Sequence, residues 1–247
     1  MTGMARLTIL LLVLWVGVTV STVVDLQKRV YNGKNCKSTE RHYHVKLFGN
    51  TGTAGTYRVC GGSLIHKQWI LTAAHCRSKT MHATLGVHPG PGFTVQIKAR
   101  PVVFKTHDIM LLKLPSPTNI IPVPLPDCAN KPNIGDEVQV AGHGYYALDA
   151  TGEKVGPTAS SLQCANMHVV RCSNALVLNI LPIRPHTHSF CVRESNVDLC
   201  PGDSGSGVIY NNRIHGVFEE ANTFACASEA RCKDVCSYMK WIQDNIK

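Results

Sequence analysis

Hydrophobic and polar residues alternate over short distances along most of this chain, and glycine, proline and asparagine interrupt the pattern every few residues. Residues 42–48, HYHVKLF, alternate between polar and apolar positions, whereas residues 61–74 and 109–114 contain short apolar runs. Short runs of either kind, bounded by turn-forming residues, are typical of β-strands. Many such strands in one chain predict an all-β barrel or sandwich.

The two ends of the chain and its middle depart from this pattern. Residues 236–247, CSYMKWIQDNIK, place Met239, Ile242 and Ile246 near helical spacing, which predicts a C-terminal α-helix. The proline-rich stretch 115–132 is expected to connect two halves. Near the N-terminus, Arg6 precedes an apolar run too short for a confident membrane span. This predicts a secretory signal peptide over residues 1–21, with an uncleaved anchor as the alternative.

Composition supports an extracellular protein. The chain of 247 residues contains eleven cysteines, which favours an oxidising compartment and disulfide bonds. Because eleven is odd, one thiol is left over or pairs between chains. The formal net charge is +9, but the basic residues are scattered, so a solvated basic surface is favoured over a binding site for anionic surfaces. We expect no nucleic-acid or membrane partner.

Metal and cofactor sites are not expected. The chain has no Cys-x-x-Cys pair, and the His42/His44 and His186/His188 pairs have no acidic or cysteine partner at a fixed spacing. These histidines are interpreted as surface residues.

Three short motifs carry candidate chemistry. LTAAHC ends an apolar run with His75, HDIMLLKL begins one after Asp108, and GDSG places Ser204 in a turn. By itself GDSG would be an ordinary turn of small residues. Together, the three residue types are those of nucleophilic catalysis, in which an imidazole takes the serine proton and a carboxylate fixes the imidazole tautomer.

In this order the motifs resemble those of the trypsin-like (chymotrypsin-fold, S1 family) serine proteases, and the resemblance covers residues 30–247. It implies an all-β fold of two antiparallel six-stranded β-barrels with a C-terminal α-helix, and an active site between the barrels. It also implies that Ser204 is the nucleophile, His75 the general base and acid, and Asp108 the orienting carboxylate. The N–H groups of Gly202 and Ser204 would form the oxyanion hole.

The segment KRVYNG, residues 28–33, resembles the activation junction of the same family. The resemblance implies an activation propeptide over residues 22–29, cleavage after Arg29, and a protease domain over residues 30–247. The new α-amino group of Val30 would then pair with Asp203, since a buried carboxylate is costly without a partner. The expected product is a zymogen.

Substrate-binding residues follow from the same resemblance. Asp198, six residues before the nucleophile, would lie at the bottom of the specificity pocket and select Arg or Lys. Ala221 and Ala230 stand where the family usually has glycines, so they would narrow the pocket. Glu219 and Glu220 are expected at its rim, where they would favour basic residues upstream of the cut.

Some positions depart from the family pattern and keep a second reading open. Ser206 follows GDSG where the family usually has glycine, Glu219 and Glu220 replace Ser-Trp, and His143 replaces a tryptophan. The intact triad favours an active endopeptidase, a secreted monomer that acts on polypeptides and meets protein protease inhibitors. The altered substrate edge favours a protease-like binding protein with lost or restricted activity.

The resemblance also implies a set of disulfide pairs and leaves Cys232 over, either as a buried free thiol, which we favour, or in a displaced pairing. The implied pairs are Cys36–Cys164, Cys60–Cys76, Cys128–Cys236, Cys172–Cys191 and Cys200–Cys226. Some relatives bind calcium between the catalytic His and Asp, but this chain has no Asp or Glu between His75 and Asp108. Calcium independence is therefore expected.

Overall fold

A computed structural model of the chain describes residues 30–50, 52, 57–158, 160–173 and 188–246. The signal peptide and propeptide expected over residues 1–29, and His186, lie outside the described residues. No helix in the described segments has both the length and the apolar character to cross a membrane.

The first half of the chain forms one seven-stranded antiparallel sheet. Its strands are β2 (His44–Asn50), β3 (Tyr57–His66), β4 (Trp69–Thr72), β5 (Thr80–Leu85), β6 (Phe93–Ile97), β7 (Val102–Val103) and β8 (Met110–Lys113). They pair in the order β6-β5-β2-β3-β4-β8-β7. The alternation noted in residues 42–48 places Val45 and Leu47 in the core of this sheet.

The second half forms another seven-stranded antiparallel sheet, with a separate hairpin of β10 (Tyr145–Leu148) and β11 (Lys154–Thr158). The strands of this sheet are β1 (Lys34–Asn35), β9 (Glu137–Gly142), β12 (Gln163–Val170), β13 (Ser189–Arg193), β14 (Gly207–Tyr210), β15 (Arg213–Glu220) and β16 (Ala230–Asp234). Six of them close into a ring, since β9 pairs with both β12 and β14.

The predicted all-β fold with two antiparallel barrels is confirmed, with one difference in strand count. Each sheet has seven strands rather than six. In the second sheet the extra strand is β1, which pairs on the outside of the ring with β12. In the first, the two-residue strand β7 extends the edge beside β8. These additions lengthen the sheets without changing the two-barrel architecture.

The C-terminal helix is also confirmed, but it is shorter than the pattern predicts. Helix α1 spans Met239–Asn245, and a 3-10 turn, Val235–Tyr238, precedes it. The Asp234 side chain accepts a hydrogen bond from the Cys236 N–H and so caps the tighter turn first. Tyr238 and Ile242 are buried in the core of the first sheet.

Four of the five implied disulfides form: Cys36–Cys164, Cys60–Cys76, Cys128–Cys236 and Cys172–Cys191. The fifth, Cys200–Cys226, is not among the bridges of the described residues and stays a prediction. Cys232 is a fully buried free thiol, as expected.

Candidate active site

His75 lies in a short 3-10 turn, Ala74–Cys76, that follows β4. The next residue, Cys76, is bridged to Cys60 in β3, so the turn is fixed to the sheet on its C-terminal side. The His75 side chain is 32% exposed. The sequence LTAAHC therefore places a half-exposed imidazole at the end of a buried strand.

Asp108 precedes β8 and binds His75 through both carboxylate oxygens. Oδ1 accepts a hydrogen bond from the His75 backbone N–H at 2.7 Å, and Oδ2 lies 2.6 Å from the His75 ring atom Nδ1. The Asp108 side chain is only 3% exposed. Because an ionised carboxylate only accepts hydrogen bonds, Nδ1 carries the ring proton and Nε2 is the basic nitrogen. The arrangement fixes the imidazole for proton transfer at Nε2.

The loop that holds Ser204 is attached to the first barrel through the backbone. The Gly61 N–H donates a hydrogen bond of 2.8 Å to the Ser204 carbonyl oxygen, and Cys76 Sγ lies 3.5 Å from the same oxygen. Gly205 has φ +84°, and a Cβ there would overlap Thr72. The structure thus brings Ser204 against the turn that carries His75.

Asp203 stabilises the same loop through hydrogen bonds to its carboxylate. It is fully buried, and its carboxylate accepts hydrogen bonds from the Gly144 N–H at 2.6 Å and the Cys200 N–H at 2.9 Å. A Cβ on Gly142 or Gly144 would overlap this carboxylate, so glycine at both positions permits the close approach. Gly202, the expected oxyanion-hole residue, has φ +102°, a conformation that favours glycine.

The residues after the expected activation cleavage lie beside the second barrel. The Val30 side chain is fully buried in the core of that barrel, which also contains Leu199. The Tyr31 carbonyl oxygen accepts a hydrogen bond from the Asp198 N–H at 3.2 Å. This segment is therefore in contact with the region of the expected specificity pocket.

Asp198 is buried, and backbone N–H groups bind its carboxylate. Oδ1 accepts from the Leu199 N–H and Oδ2 from the Cys226 N–H, each at 2.8 Å. Ala230 is fully buried in the same core as Leu199, and Ala221 packs against that core.

The two glutamates expected together at the pocket rim differ sharply in exposure. Glu220 is 51% exposed, and its Oε1 lies 3.4 Å from Arg231 Nε. Glu219 is only 8% exposed, and its Oε2 lies 2.9 Å from Lys233 Nζ. The Glu219 carboxylate thus pairs with an internal cation rather than facing solvent, and its expected role in substrate binding stays a prediction.

Sequence reasoning missed two side chains near the triad. Lys233 is 4% exposed and extends beneath the β15–β16 hairpin. Arg58, in β3, donates a hydrogen bond through Nη1 to the His75 carbonyl oxygen. The sequence carries no signal for the first, since RCKDVC has neither a strand alternation nor a motif that marks a buried lysine. Arg58 lies two residues before Cys60, whose implied bridge to Cys76 already places the two segments together.

Two clusters in the described residues have the spacing of a metal site. They are Cys60 with His75 and Cys76, and Cys36 with Glu40 and Cys164. In each, the two cysteines form a disulfide with each other. Bridged cysteines have no thiolate to bind a metal, so neither cluster fits an ion.

Burial and charge shape the surroundings of the triad electrostatically. Burial raises the pKa of the Glu219 carboxyl, the Lys233 ammonium lowers it in part, and the Asp108 carboxylate raises it again. Burial is also the main cause of the raised pKa of Tyr238, to which the charges of Glu219, Asp234 and Asp108 add. The Asp108 and Glu219 carboxylates thus both act on the pKa of Tyr238.

Comparison with known proteins agrees with this geometry. The Trypsin family model matches residues 30–242. The chain is 30% identical to Trypsin V-B of Rattus norvegicus over 242 residues, covering 90% of this chain and 91% of that protein. It is 31% identical to the snake venom serine protease BPA of Bothrops jararaca over 237 residues, covering 88% of this chain and 87% of that protein.

A solved structure shows the same fold. Neuropsin, a serine protease expressed in the limbic system of mouse brain, superimposes with a TM-score of 0.72 at 22% sequence identity, covering 88% of this chain and 100% of that one. The two barrels, the His75–Asp108 pair and the extent of the family match lead to one conclusion. This chain belongs to the trypsin family of serine proteases.

Proposed function

We propose that this chain is a secreted serine endopeptidase, made as a zymogen and activated by cleavage after Arg29. The observation that carries the proposal is the binding of His75 by Asp108, through the backbone N–H and Nδ1. That contact leaves Nε2 as the base. Polypeptides are the substrates that the family implies, and protein protease inhibitors are the expected partners of a monomeric enzyme.

The chemistry follows from the residues of the site. His75 takes the Ser204 hydroxyl proton as Oγ attacks the scissile carbonyl, and the Gly202 and Ser204 N–H groups bind the oxyanion. His75 then gives that proton to the leaving amine, which departs and leaves an acyl-enzyme. Water hydrolyses the acyl-enzyme with His75 again acting as base. Asp108 stabilises the imidazolium that forms in each step.

Cleavage after Arg or Lys is the proposed specificity. The Asp198 carboxylate is buried and accepts hydrogen bonds from two backbone N–H groups. A buried anion of this kind favours a substrate cation, which makes a charge-assisted contact. Ala230 and Ala221 add methyl groups beside the pocket, so we expect slower and more selective cleavage than in a digestive trypsin.

The zymogen proposal rests on Val30 and Asp203. Cleavage after Arg29 creates an ammonium group on Val30, whose side chain is already buried in the second barrel. Asp203 is fully buried in the loop before the nucleophile. An ion pair between them would order that loop and the oxyanion hole with it.

One observation favours a second candidate, a protease-like binding protein with restricted activity. Ala230 and Glu219 are both buried where the family usually has glycine and serine, which reduces the room beside the pocket. Such a protein would keep the fold and the His75–Asp108 pair but turn over peptides poorly.

Peptide hydrolysis tests these proposals. Protein cleaved after Arg29 is assayed with arginyl, lysyl, tyrosyl and leucyl peptide amides, with Ser204→Ala as the matched control. We expect arginyl and lysyl substrates to be preferred and the control to lose at least about a thousandfold in kcat. An Arg29→Gln chain should remain intact and inactive when treated with a trypsin-like activator.

Three results would count against parts of the proposal. A preference for tyrosyl or leucyl substrates would remove Asp198 from its proposed role. Equal activity of the Arg29→Gln chain would exclude the zymogen. No turnover of any substrate, with Val30 shown by N-terminal sequencing to be the first residue, would favour the binding protein.

A further inference from the structure

The contact between Glu219 and Lys233 is a buried ion pair. Lys233 Nζ lies 2.9 Å from Glu219 Oε2, and it also donates to Ser189 Oγ at 3.2 Å. Both side chains are more than nine-tenths buried, with 4% of Lys233 and 9% of Glu219 exposed. A buried pair is weak evidence for stability, because desolvation offsets much of the attraction. Stability alone therefore does not explain why this ion pair is buried here.

A β-bulge accounts for the inward direction of Glu219. In the β15–β16 pairing Phe218 lies opposite Cys232 and Glu220 lies opposite Arg231, so Glu219 is the extra residue between them. A bulge re-aims a side chain relative to the regular alternation. Glu219 is therefore buried beside Lys233, while its neighbour Glu220 remains half exposed.

Glu219 follows Phe218, whose carbonyl oxygen accepts a hydrogen bond of 2.8 Å from the Gly205 N–H beside Ser204. On the other side, Lys233 contacts Ser189, and the ring of the preceding residue, His188, lies 5.5 Å from that of His107, which directly precedes Asp108.

The Asp108 charge acts on Glu219 and on Tyr238, and Glu219 acts on Tyr238 as well. Two neighbouring carboxylates disfavour each other's ionised form, and a nearby cation offsets that effect. Lys233 is that cation, since its ammonium opposes the effects of burial and of Asp108 on Glu219.

Other charged and titratable groups face the same cluster from the surrounding elements. Lys233 acts on His107, the residue before Asp108, and lowers its pKa together with burial and His188. Glu219 adds to the effect of burial in raising the pKa of the Cys232 thiol. The remaining groups are Glu220 on β15, Arg231 and Asp234 on β16, and Tyr238 in the turn before α1.

We propose that Lys233 and Glu219 form a positioning pair for the triad. Lys233 neutralises Glu219, so Asp108 is the one uncompensated carboxylate that faces the His75 imidazole. The proton taken from Ser204 then stays on His75, because no second uncompensated carboxylate competes for it. This inference rests on the proposed peptidase function and adds a role for two residues that do not touch the substrate.

Opposite shifts of the pH profile test the pair. Glu219→Gln removes a negative charge and leaves a cation, which disfavours the imidazolium and moves the acid limb of kcat/KM to lower pH. Lys233→Met leaves an extra negative charge and moves that limb to higher pH. We expect shifts of about one pH unit in each direction. The double variant, neutral again, should return to the wild-type midpoint.

Two further variants provide controls. Lys233→Arg keeps the charge and should retain the wild-type midpoint. Lys131→Met removes a cation from a surface pair with Asp234, the residue next to Lys233 on β16, where Lys131 is 46% exposed. It loses the same charge on the outside of the barrel and should not move the midpoint.

Several outcomes would overturn the inference. The inference fails if the pH midpoint of kcat/KM is unchanged in both single variants, or if it moves in the same direction in both. The pair would then have only a structural role, and its loss would lower kcat and thermal stability without moving the midpoint. If Lys233→Met does not fold, the other two variants decide. The pH midpoint of kcat/KM must move to lower pH in Glu219→Gln and must return to the wild-type value in the double variant.

A second readout separates this inference from the proposed function. The His75 ring titration, followed by NMR in Ser204→Ala protein that carries the same variants, should show the same opposite shifts without any turnover. A wild-type protein inactive at every pH would overturn the proposed function alone. Ring midpoints that do not move between the variants would overturn the positioning pair alone.

Discussion

The backbone N–H of Gly61 donates a hydrogen bond of 2.8 Å to the carbonyl oxygen of Ser204. Gly61 belongs to β3 of the first barrel, and Ser204 lies in the loop before β14 of the second. His75, also from the first barrel, is fixed close by through the Cys60–Cys76 bridge. This backbone contact between the barrels therefore helps to set the relative position of the proposed base and nucleophile.

Replacing Gly61 by alanine should weaken that contact. A Cβ at this position would overlap Ser206 Oγ and lie 3.0 Å from Ser206 Cβ. Overpacking of this size costs about 1–3 kcal/mol. We expect Gly61→Ala to lower the free energy of unfolding by that amount, and Gly61→Ala/Ser206→Gly to recover most of it, as measured by urea unfolding.

Ser206→Ala supplies the control for that experiment. The Ser206 hydroxyl is buried and has no hydrogen-bond partner among the described residues. Removing an unsatisfied hydroxyl should leave stability unchanged or raise it. A Gly61→Ala protein as stable as the wild type, with Ser206 in place, would show that the loop moves aside without cost.

Gly205 and Gly152 form a matched pair, since both have φ +84°. Alanine at Gly152 meets nothing within 4 Å, so Gly152→Ala should cost only the backbone strain of about 1–2 kcal/mol. Alanine at Gly205 would also overlap Thr72 and press on the Gly61 carbonyl oxygen. We expect Gly205→Ala to cost clearly more in urea unfolding and to lower kcat. Equal losses in the two variants would contradict the close packing.

His44 was interpreted as a surface residue from its sequence, but it is only 4% exposed, because it begins β2 and packs against His143. This burial should make the protein sensitive to acid. The pKa of His44 is lowered well below 6.5 by burial first, then by His143 and by the charges of Arg41, His88 and Lys46. The folded state therefore binds fewer protons at His44 than the unfolded state does. Stability is fully present above the unfolded value and is lost as the pH falls below about 6.5 toward the folded one.

Unfolding at a series of pH values measures this effect. His44→Gln should show a shallower loss of stability between pH 7 and about 5 than the wild type. His66→Gln, at an exposed position, is the control and should keep the wild-type slope. A slope unchanged by His44→Gln would assign the acid sensitivity to other groups.

Cys232 should be unreactive in the native protein. It is fully buried, and burial raises the pKa of its thiol. Because the thiolate is the reactive form, iodoacetamide should leave the Cys232 peptide unmodified in folded protein and modify it after denaturation, as followed by mass spectrometry. Rapid native alkylation at this residue would show that the β15–β16 region opens.

The strand pattern and the motif order were sufficient for the fold. Alternation in residues such as Val45 and Leu47 predicted the strands because one face of each strand packs on a core. The resemblance carried by the motifs implied four disulfides that form, and the roles it implied for His75 and Asp108 stay predictions that their contact supports. Local sequence was informative at these sites because a strand end or a disulfide fixes each one.

The surroundings of the triad could not be predicted in the same way. Glu219 was expected at the pocket rim because it stands where the resemblance to the family puts the substrate-binding edge. Its burial depends on the bulge at Glu219 and on a cation from the next strand, Lys233. Both are tertiary features, and a single sequence contains no signal for either.

The core of the first barrel is completed by the last residues of the chain. Val235, Tyr238 and Ile242 pack in the same cluster as Ile109 and Met110. During synthesis the first barrel is therefore translated in full while part of its interior still lies in residues not yet made. That barrel can therefore complete its core only after residues 235–242 have been made, and chains truncated before Val235 should leave it exposed to proteolysis.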